Sequence, residues 1–357
     1  MSHEIRHNDR YGETRKNGQR AWHGLGDEIE EGLSAEEGFE RIGLGWRTIL
    51  APVHAQVDVM GENGPATQTI QLKGKGEGGQ TPMAHLRADD HTLLGLVTEG
   101  YKPFENMDLA RFADALSGAD KGVHIETGGS LHNGRRIFAL VKLPEVVRAT
   151  AEDTLDQYVL IQNGHGGFAA FSCYPTSVRV VCANTLRWSE RDVSKGLKFR
   201  HSGDWDDKVA QARVALGIAR QETERFQEQV SLLVNTNMST QKLRAFMGRV
   251  YDQTFYGGKP LVKAESMEQD TFEKLVAKKT ELLEKWTANL ENERQMLKGI
   301  RGTAWAAYNA ISEYHDHERG RFKGIEESDA RVGSNVFGVS QAHKSVAFRA
   351  ALAVAGA

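Results

Sequence analysis

The sequence predicts an α+β protein: an antiparallel, hairpin-rich sheet covered by helices, followed by a helical C-terminal region. Three observations carry that reading. Consecutive strand-like runs are joined by Gly-containing turns, which join strands antiparallel. One amphipathic helix interrupts them, with Leu109, Phe112, Ala113 and Leu116 on a single face. Beyond Trp205 apolar residues recur every three or four positions, the period of helices.

Residues 1–43 read as a polar N-terminal arm, residues 44–203 as the α+β core and residues 204–357 as the helical region. In the arm, Trp22-His23-Gly24-Leu25-Gly26 is a compact motif. Ser34 and Glu37 are spaced as a capping box that opens a short helix. In the core, Val53, Ala55, Val57 and Val59 alternate with polar residues, as a half-buried strand does. Glu62-Asn63-Gly64 turns the chain into a return strand over 67–72. Gly74, Gly76 and Gly79 match G-x-G-x-x-G, but a strand rather than a helix follows. No helix N-terminus is therefore offered to a pyrophosphate, and the segment reads as a loop. Thr92–Val97 is an apolar strand, and Asn106 is expected to cap the amphipathic helix. Val123–Leu131 and Arg135–Leu143 form a hairpin across His132-Asn133-Gly134. Gln157–Gln162 and Phe168–Cys173 form a second across residues 163–167. A helix is expected to start near Pro175-Thr176-Ser177 or after Cys182 and to run towards Ser189, so that helices cover one face of the sheet.

In the C-terminal region Val209, Ala212, Leu216, Ala219, Thr223, Phe226, Val230 and Leu233 form a heptad stripe. It reads as a helix packed on the chain's own core, with an intermolecular coiled coil as the alternative. Helices are also expected over Gln241–Tyr251, Asp270–Leu297, Thr303–His315 and Gln341–Val354, with a loop over 319–337.

Composition bounds the function. Of 357 residues 39% are hydrophobic, enough for a packed core and too many for a wholly disordered chain. No apolar run approaches the ~18–20 residues of a membrane span, and the polar N-terminus has no signal-peptide core. Two cysteines cannot make a disulfide framework. Together these features predict a cytoplasmic protein. The 45 Lys+Arg nearly balance 48 Asp+Glu, which excludes nucleic-acid binding through bulk charge but not through a local basic face.

No Walker phosphate loop, H-E-x-x-H or C-x-x-C occurs. Cys173 and Cys182 lie nine apart, unlike the close pairs of zinc sites, and read as buried thiols. His315 and His317 flank Asp316 at a helix end. The expected reading is a solvated end where cationic imidazole opposes the helix dipole, with metal chelation as the alternative. His23 has no local nucleophile beside it, so its motif reads as an anchor for the arm rather than an acid–base site. No catalytic residue, metal or cofactor is predicted.

The sharpest functional signal is 179–201. Arg179, Arg187, Arg191, Lys195, Lys198 and Arg200 exceed Glu190 and Asp192 by four charges, and Trp188 and Phe199 are interleaved. Cations neutralise phosphates, and flat rings stack on unpaired bases. On a helix Arg187 and Arg191 would share a face. Arg135 and Arg136 start the return strand of the first hairpin, where alternation lets only one face a ligand. The competing reading is a solvated charged surface.

Several runs carry a resemblance: Trp22–Gly26; Tyr101-Lys102-Pro103-Phe104-Glu105-Asn106; Gly128-Gly129-Ser130-Leu131 with Gly134-Arg135-Arg136; Arg179-Val180-Val181-Cys182-Ala183-Asn184-Thr185-Leu186; and Ala306-Ala307-Tyr308-Asn309-Ala310 with Glu313-Tyr314. In that order they resemble the phage/plasmid-like protein family known as domain of unknown function 932. Relatives in that family often have Asp-Gly where this chain has His165-Gly166-Gly167. The resemblance implies a mobile-element origin and brings no activity with it. The hairpin sheet followed by a long helix is also similar to phage single-strand annealing proteins of the RecT and Red-beta type, which form rings or filaments without ATP. Fold analogy alone does not assign function. The leading expectation is a non-enzymatic, oligomeric protein that binds and anneals single-stranded DNA in recombination or replication. The alternatives are a module that binds or inhibits a host protein, and a nucleotide-processing enzyme using His23.

Overall fold

The computed structural model describes residues 11–16, 19–20, 27–29, 33–61, 64–74, 80–119, 123–179, 184–187, 197–198, 205–319 and 338–357. The Trp22–Gly26 motif, Cys182, Trp188, Arg191, Lys195 and Arg200 lie outside the described residues.

The strands are β1 (Tyr11–Lys16), β2 (Gln19–Arg20), β3 (Asp27–Ile29), β4 (Thr48–Pro52), β5 (His54–Gly61), β6 (Gly64–Gln71), β7 (Pro82–Arg87), β8 (Leu93–Thr98), β9 (His124–Leu131), β10 (Arg136–Arg148), β11 (Thr154–Gly164), β12 (Ser172–Arg179), β13 (Asn184–Arg187) and β14 (Leu197–Lys198). The helices are α1 (Ala35–Arg41), α2 (Asn106–Ala119), α3 (Trp205–Val234), α4 (Thr240–Tyr256), α5 (Gln269–Ala288), α6 (Ala304–Glu313) and α7 (Val339–Ala355).

The main sheet runs β13-β12-β11-β10-β9-β1-β2, with β14 beside β12 and β3 beside β1. All its pairings are antiparallel except β1 with β3. The α+β class holds, and helices cover both faces of this sheet rather than one. Strand alternation explains the two covers. Phe138, Leu140, Tyr158, Leu160 and Tyr174 point to one side, where Phe226, Val230 and Leu233 of α3 meet residues of α4, α6 and α7. Ile137, Ala139, Val141, Val159, Ile161 and Cys173 point to the other, against α1, α2 and the first half of α3. The heptad stripe on α3 is therefore spent inside the chain: Ala212, Leu216, Ala219, Phe226, Val230 and Leu233 are all buried.

The capping box forms as expected. Glu37 N–H donates to Ser34 Oγ at 3.2 Å, and Ser34 N–H donates to Glu37 Oε2 at 2.9 Å. Asp114 on α2 accepts from the α1 backbone at Ala35, 2.6 Å away. Burial pushes the Asp114 carboxyl above the usual carboxylate range despite these bonds.

Three expectations are corrected. The helix expected between Pro175 and Ser189 is instead β12 and β13, paired antiparallel with Arg179 opposite Asn184 and Thr176 opposite Arg187. Thr176, Val178 and Thr185 are β-branched, and strand pairing with β11 overrides the local start signal. The histidines at 315–317 do not form a solvated helix end. Tyr314–Glu318 is a π-helical turn that buries His315 and Asp316. Asp316 Oδ1 accepts from the Lys344 ammonium at 2.5 Å, with both side chains fully buried. His315 packs 5.0 Å from His343, ring to ring, and burial holds both imidazoles below the ordinary histidine range, His343 at about 4. Finally, the helix predicted over Asp270–Leu297 ends at Ala288 and gives way to two short 3₁₀ turns.

A smaller sheet, β4-β7-β8, and a separate hairpin, β5-β6, stand beside the main sheet. The hairpin fulfils the expected pairing, from His54 opposite Gln71 to Gly61 opposite Gly64. Among the described elements β5 and β6 make extended contact only with each other.

Candidate nucleic-acid interface

The predicted cations divide between the two ends of the main sheet. Arg136 pairs with Gly164 and Arg179 with Leu155, both on β11. Those positions are about 30 Å apart along the strand. Between them, β13 and β14 lie in line on the outer edge of β12. They place Arg187 opposite Thr176 and Lys198 opposite Ser172, about 13 Å apart. Arg187 ends a strand rather than lying on a helix, and Arg191, expected to share a helical face with it, lies outside the described residues. The backbone thus sets out a line of cationic positions along one sheet edge, with a cluster beyond its far end.

That cluster is built by the two hairpin turns. His132, Asn133 and Gly134 all take positive φ, which carries the chain from β9 into β10 and leaves Arg135 in the turn. Strand alternation therefore does not separate Arg135 from Arg136. Their guanidinium carbons lie 4.8 and 5.2 Å from the centre of the same ring, Phe168. Cation–ring attraction holds all three together. Arg135 Nε also donates to the Leu94 carbonyl at 2.8 Å, tying the turn to the small sheet. His132 joins the group, with its ring 5.0 Å from that of Phe168. Both arginines and Phe168 are half-buried, so each keeps an exposed part.

The second turn, His165–Gly167, is locked from below. Gly166 N–H donates to His85 Nδ1 at 2.9 Å, which assigns the His85 proton to Nε2. Gly95 and Gly166 touch so closely that a Cβ on Gly95 would lie 2.6 Å from the Gly166 carbonyl oxygen. His165 Nε2 is 2.8 Å from Asn106 Oδ1. Since Asn106 Nδ2 donates to the Leu44 carbonyl, its Oδ1 faces the ring as acceptor and His165 Nε2 carries the proton. Asn106 is thus spent on tertiary contacts rather than on the expected cap. Asn163 Nδ2 donates to the Phe104 carbonyl at 2.9 Å, and the Gly167 N–H bonds the Tyr101 hydroxyl. The Trp46 ring packs 5.2 Å from His165 and carries the Arg87 guanidinium 4.6 Å from its centre.

His85 and His165 are fully buried. Burial lowers His85 to about 4, so its imidazole is neutral at pH 7. Glu105, desolvated beside Thr48, is pushed above its ordinary range. With no exposed edge, the imidazoles position the turn rather than move protons for a ligand. What reaches solvent is the rim: two arginines around a phenyl ring. Among the described residues, no group of three or more His, Cys, Asp or Glu side chains is arranged to hold a metal ion. No helix among them is long and apolar enough to cross a membrane.

Cys173 is buried, and desolvation pushes its thiol well above the ordinary value, so it behaves as a small hydrophobe. Of the residues that build the cluster, sequence reasoning singles out Arg135 and Arg136. It misses His85, Trp46 and Phe168. The available signal is the Gly166-Gly167-Phe168 run directly after a buried strand end, a turn too tight for ordinary side chains.

Fold and site together define an α+β protein with a helix-covered antiparallel sheet and an arginine–aromatic rim at one sheet end. The model of the domain of unknown function DUF932 matches residues 93–344, and the chain belongs to that family. The match takes in β8 to the first third of α7, and so both turns and the cationic sheet edge. No curated protein and no solved structure matches the chain.

Proposed function

We propose that the chain is a non-enzymatic single-stranded DNA-binding and annealing protein. It would act without ATP in recombination or replication, in the cytoplasm of a bacterium that hosts a phage or plasmid. The observation that carries this reading is the arginine–aromatic group at the rim. Arg135 and Arg136 lie against Phe168, and cationic positions at Lys198 and Arg187 continue along the neighbouring sheet edge, with Arg179 one strand inward on β12. A run of about 30 Å is on the scale of a site for several nucleotides. Guanidinium groups pair with phosphates, and a half-buried ring offers a stacking surface.

The test is binding of a fluorescent oligo-dT across a salt series, followed by annealing of two complementary labelled strands without nucleotide. Affinity should fall steeply with salt. Arg187→Ala with Lys198→Ala removes two phosphate contacts, so the log–log slope should shrink by about 1.4, at ~0.7 per contact on single strands. Absence of binding at 20–50 mM salt (roughly the range where such contacts are strongest) removes the proposal.

A further inference from the structure

The turn that follows α6 gathers polar groups whose charges do not balance. Tyr314–Glu318 is π-helical, a form used mostly as single turns and frequent at functional sites. Its closing bond runs from the Arg319 N–H to the Tyr314 carbonyl at 2.7 Å. That bond holds Arg319 beside the start of α7, where its Nη1 donates to Ser340 Oγ at 3.3 Å. His343 and Lys344 lie three and four positions after Ser340 on α7, so the three share a face. His315 comes from the π turn to meet His343, ring to ring at 5.0 Å.

Cations outnumber anions in this group. Lys344 is matched by Asp316, with both side chains fully buried. Arg319 is half-buried, and among the described residues no carboxylate forms an ion pair with it. Desolvation opposes its charge, and the group it meets electrostatically is the Tyr314 phenol, which is neutral at pH 7. Glu318, the neighbour in sequence, is exposed and acts on Lys285 and Tyr314 instead. A half-buried guanidinium without a counter-charge is costly, and a bound anion removes that cost. The imidazoles add hydrogen-bonding capacity rather than charge. Nδ1 of His315 and Nδ1 of His343 are buried and have no hydrogen-bond partner among the described residues, and His315 as a whole is 3% exposed. Burial, aided by the Arg319 charge, keeps both rings neutral at pH 7, and a neutral ring offers one donor and one acceptor. The fitting ligand is an anion that accepts from a guanidinium and can both accept from and donate to imidazole. A phosphate monoester carries a charge of about −1.5 to −2 at pH 7 and keeps part of its O–H, which meets each demand. A metal cation does not, because the unmatched charge here is positive.

We infer that Arg319, Ser340, His315 and His343 form a binding site for a phosphate monoester group, with Arg319 as its anchor. The site uses none of the residues at the arginine–aromatic rim. The test is thermal unfolding of the full-length, DNA-free protein in inorganic phosphate up to about 20 mM, with ionic strength held constant by chloride, beside Arg319→Gln and His343→Gln. Phosphate should raise the native midpoint saturably, and each variant should weaken the apparent affinity about tenfold or more. Without phosphate, Arg319→Gln should unfold no more easily than the native chain, since it loses an unmatched charge; this variant carries the test if His343→Gln does not fold. No saturable rise in the native chain overturns the inference, and so does a rise that Arg319→Gln leaves unchanged. Marked destabilisation of phosphate-free Arg319→Gln also overturns it, because a carboxylate elsewhere in the chain would then already pair with Arg319. Where phosphate binds, titration with 5′-phosphorylated and 5′-hydroxyl oligo-dT identifies the source of the group. An advantage of the phosphorylated strand that Arg319→Gln abolishes assigns a DNA end, and equal binding assigns a free small phosphate compound.

Discussion

The two faces of the small sheet β4-β7-β8 are built from the same three strands and have opposite characters. The inner face is wired: His85 accepts from Gly166, Gly95 lies against Gly166, and Leu94 is fully buried and bonds Arg135. The outer face, one residue out of phase, carries Leu93 and Leu96 into solvent. A one-residue step in a strand exchanges everything it presents. Here that step separates a face that positions the candidate site from one that, among the described residues, is turned to solvent.

The contrast breaks most sharply at glycine. Gly95→Ala would put a Cβ 2.6 Å from backbone atoms of Gly166, and neither chain can yield without disturbing the His85 and Arg135 bonds. The expected loss is about 3 kcal/mol or more, read by urea unfolding, together with weaker oligo-dT binding. At the hairpin tip Gly64→Ala meets nothing within 4 Å, and only its φ of +105° opposes it. Its cost should be about 1 kcal/mol, confined to the hairpin. Equal losses at the two positions would show that the inner face is not the tighter one.

A smaller break comes from Asn106→Ala. It removes the acceptor for His165 and the donor to Leu44 in a buried setting, for an expected cost of about 2 kcal/mol, again read by urea unfolding. Loss within experimental error of zero would mean that the turn is held by the glycine contact alone.

A further probe, which leaves the sequence untouched, is pH. His85 and His343 lie at about 4 in the folded chain, and His315 is also lowered. Unfolded histidine takes up its proton near 6.5. Below that value the unfolded chain binds more protons, so stability falls as pH drops from about 6.5 towards 4. Glu105 and Asp114 are raised and act in the opposite sense. In a chain carrying Glu105→Gln and Asp114→Asn, an unfolding free energy that stays level from about pH 7 to 5.5 would contradict the buried, neutral state of the histidines.

Much of the fold is legible because it rests on local periodicity. The capping box at Ser34, the β5-β6 hairpin, the apolar face of α2 and the α3 stripe all follow from residues close in sequence. What is not legible depends on long-range pairing. Thr176 and Val178 join a strand because β11 offers its edge, pairing them with Tyr158 and Asp156. His315 turns inward because Trp286 and His343 provide its pocket. At the candidate interface the arginines of the first turn are legible as charges. Their shared ring is not, since Phe168 reaches them from a different hairpin.

The last helix has a consequence for how the molecule comes apart. α7 delivers Lys344 to Asp316 and places Ala347, Phe348 and Ala351 in the same core as β10 and β11. Without α7, Asp316 lacks its cation, and an unmatched charge opposes closure of the helical cover. Docking of α7 and closure of that cover over the central strands should therefore form and come apart as one cooperative unit.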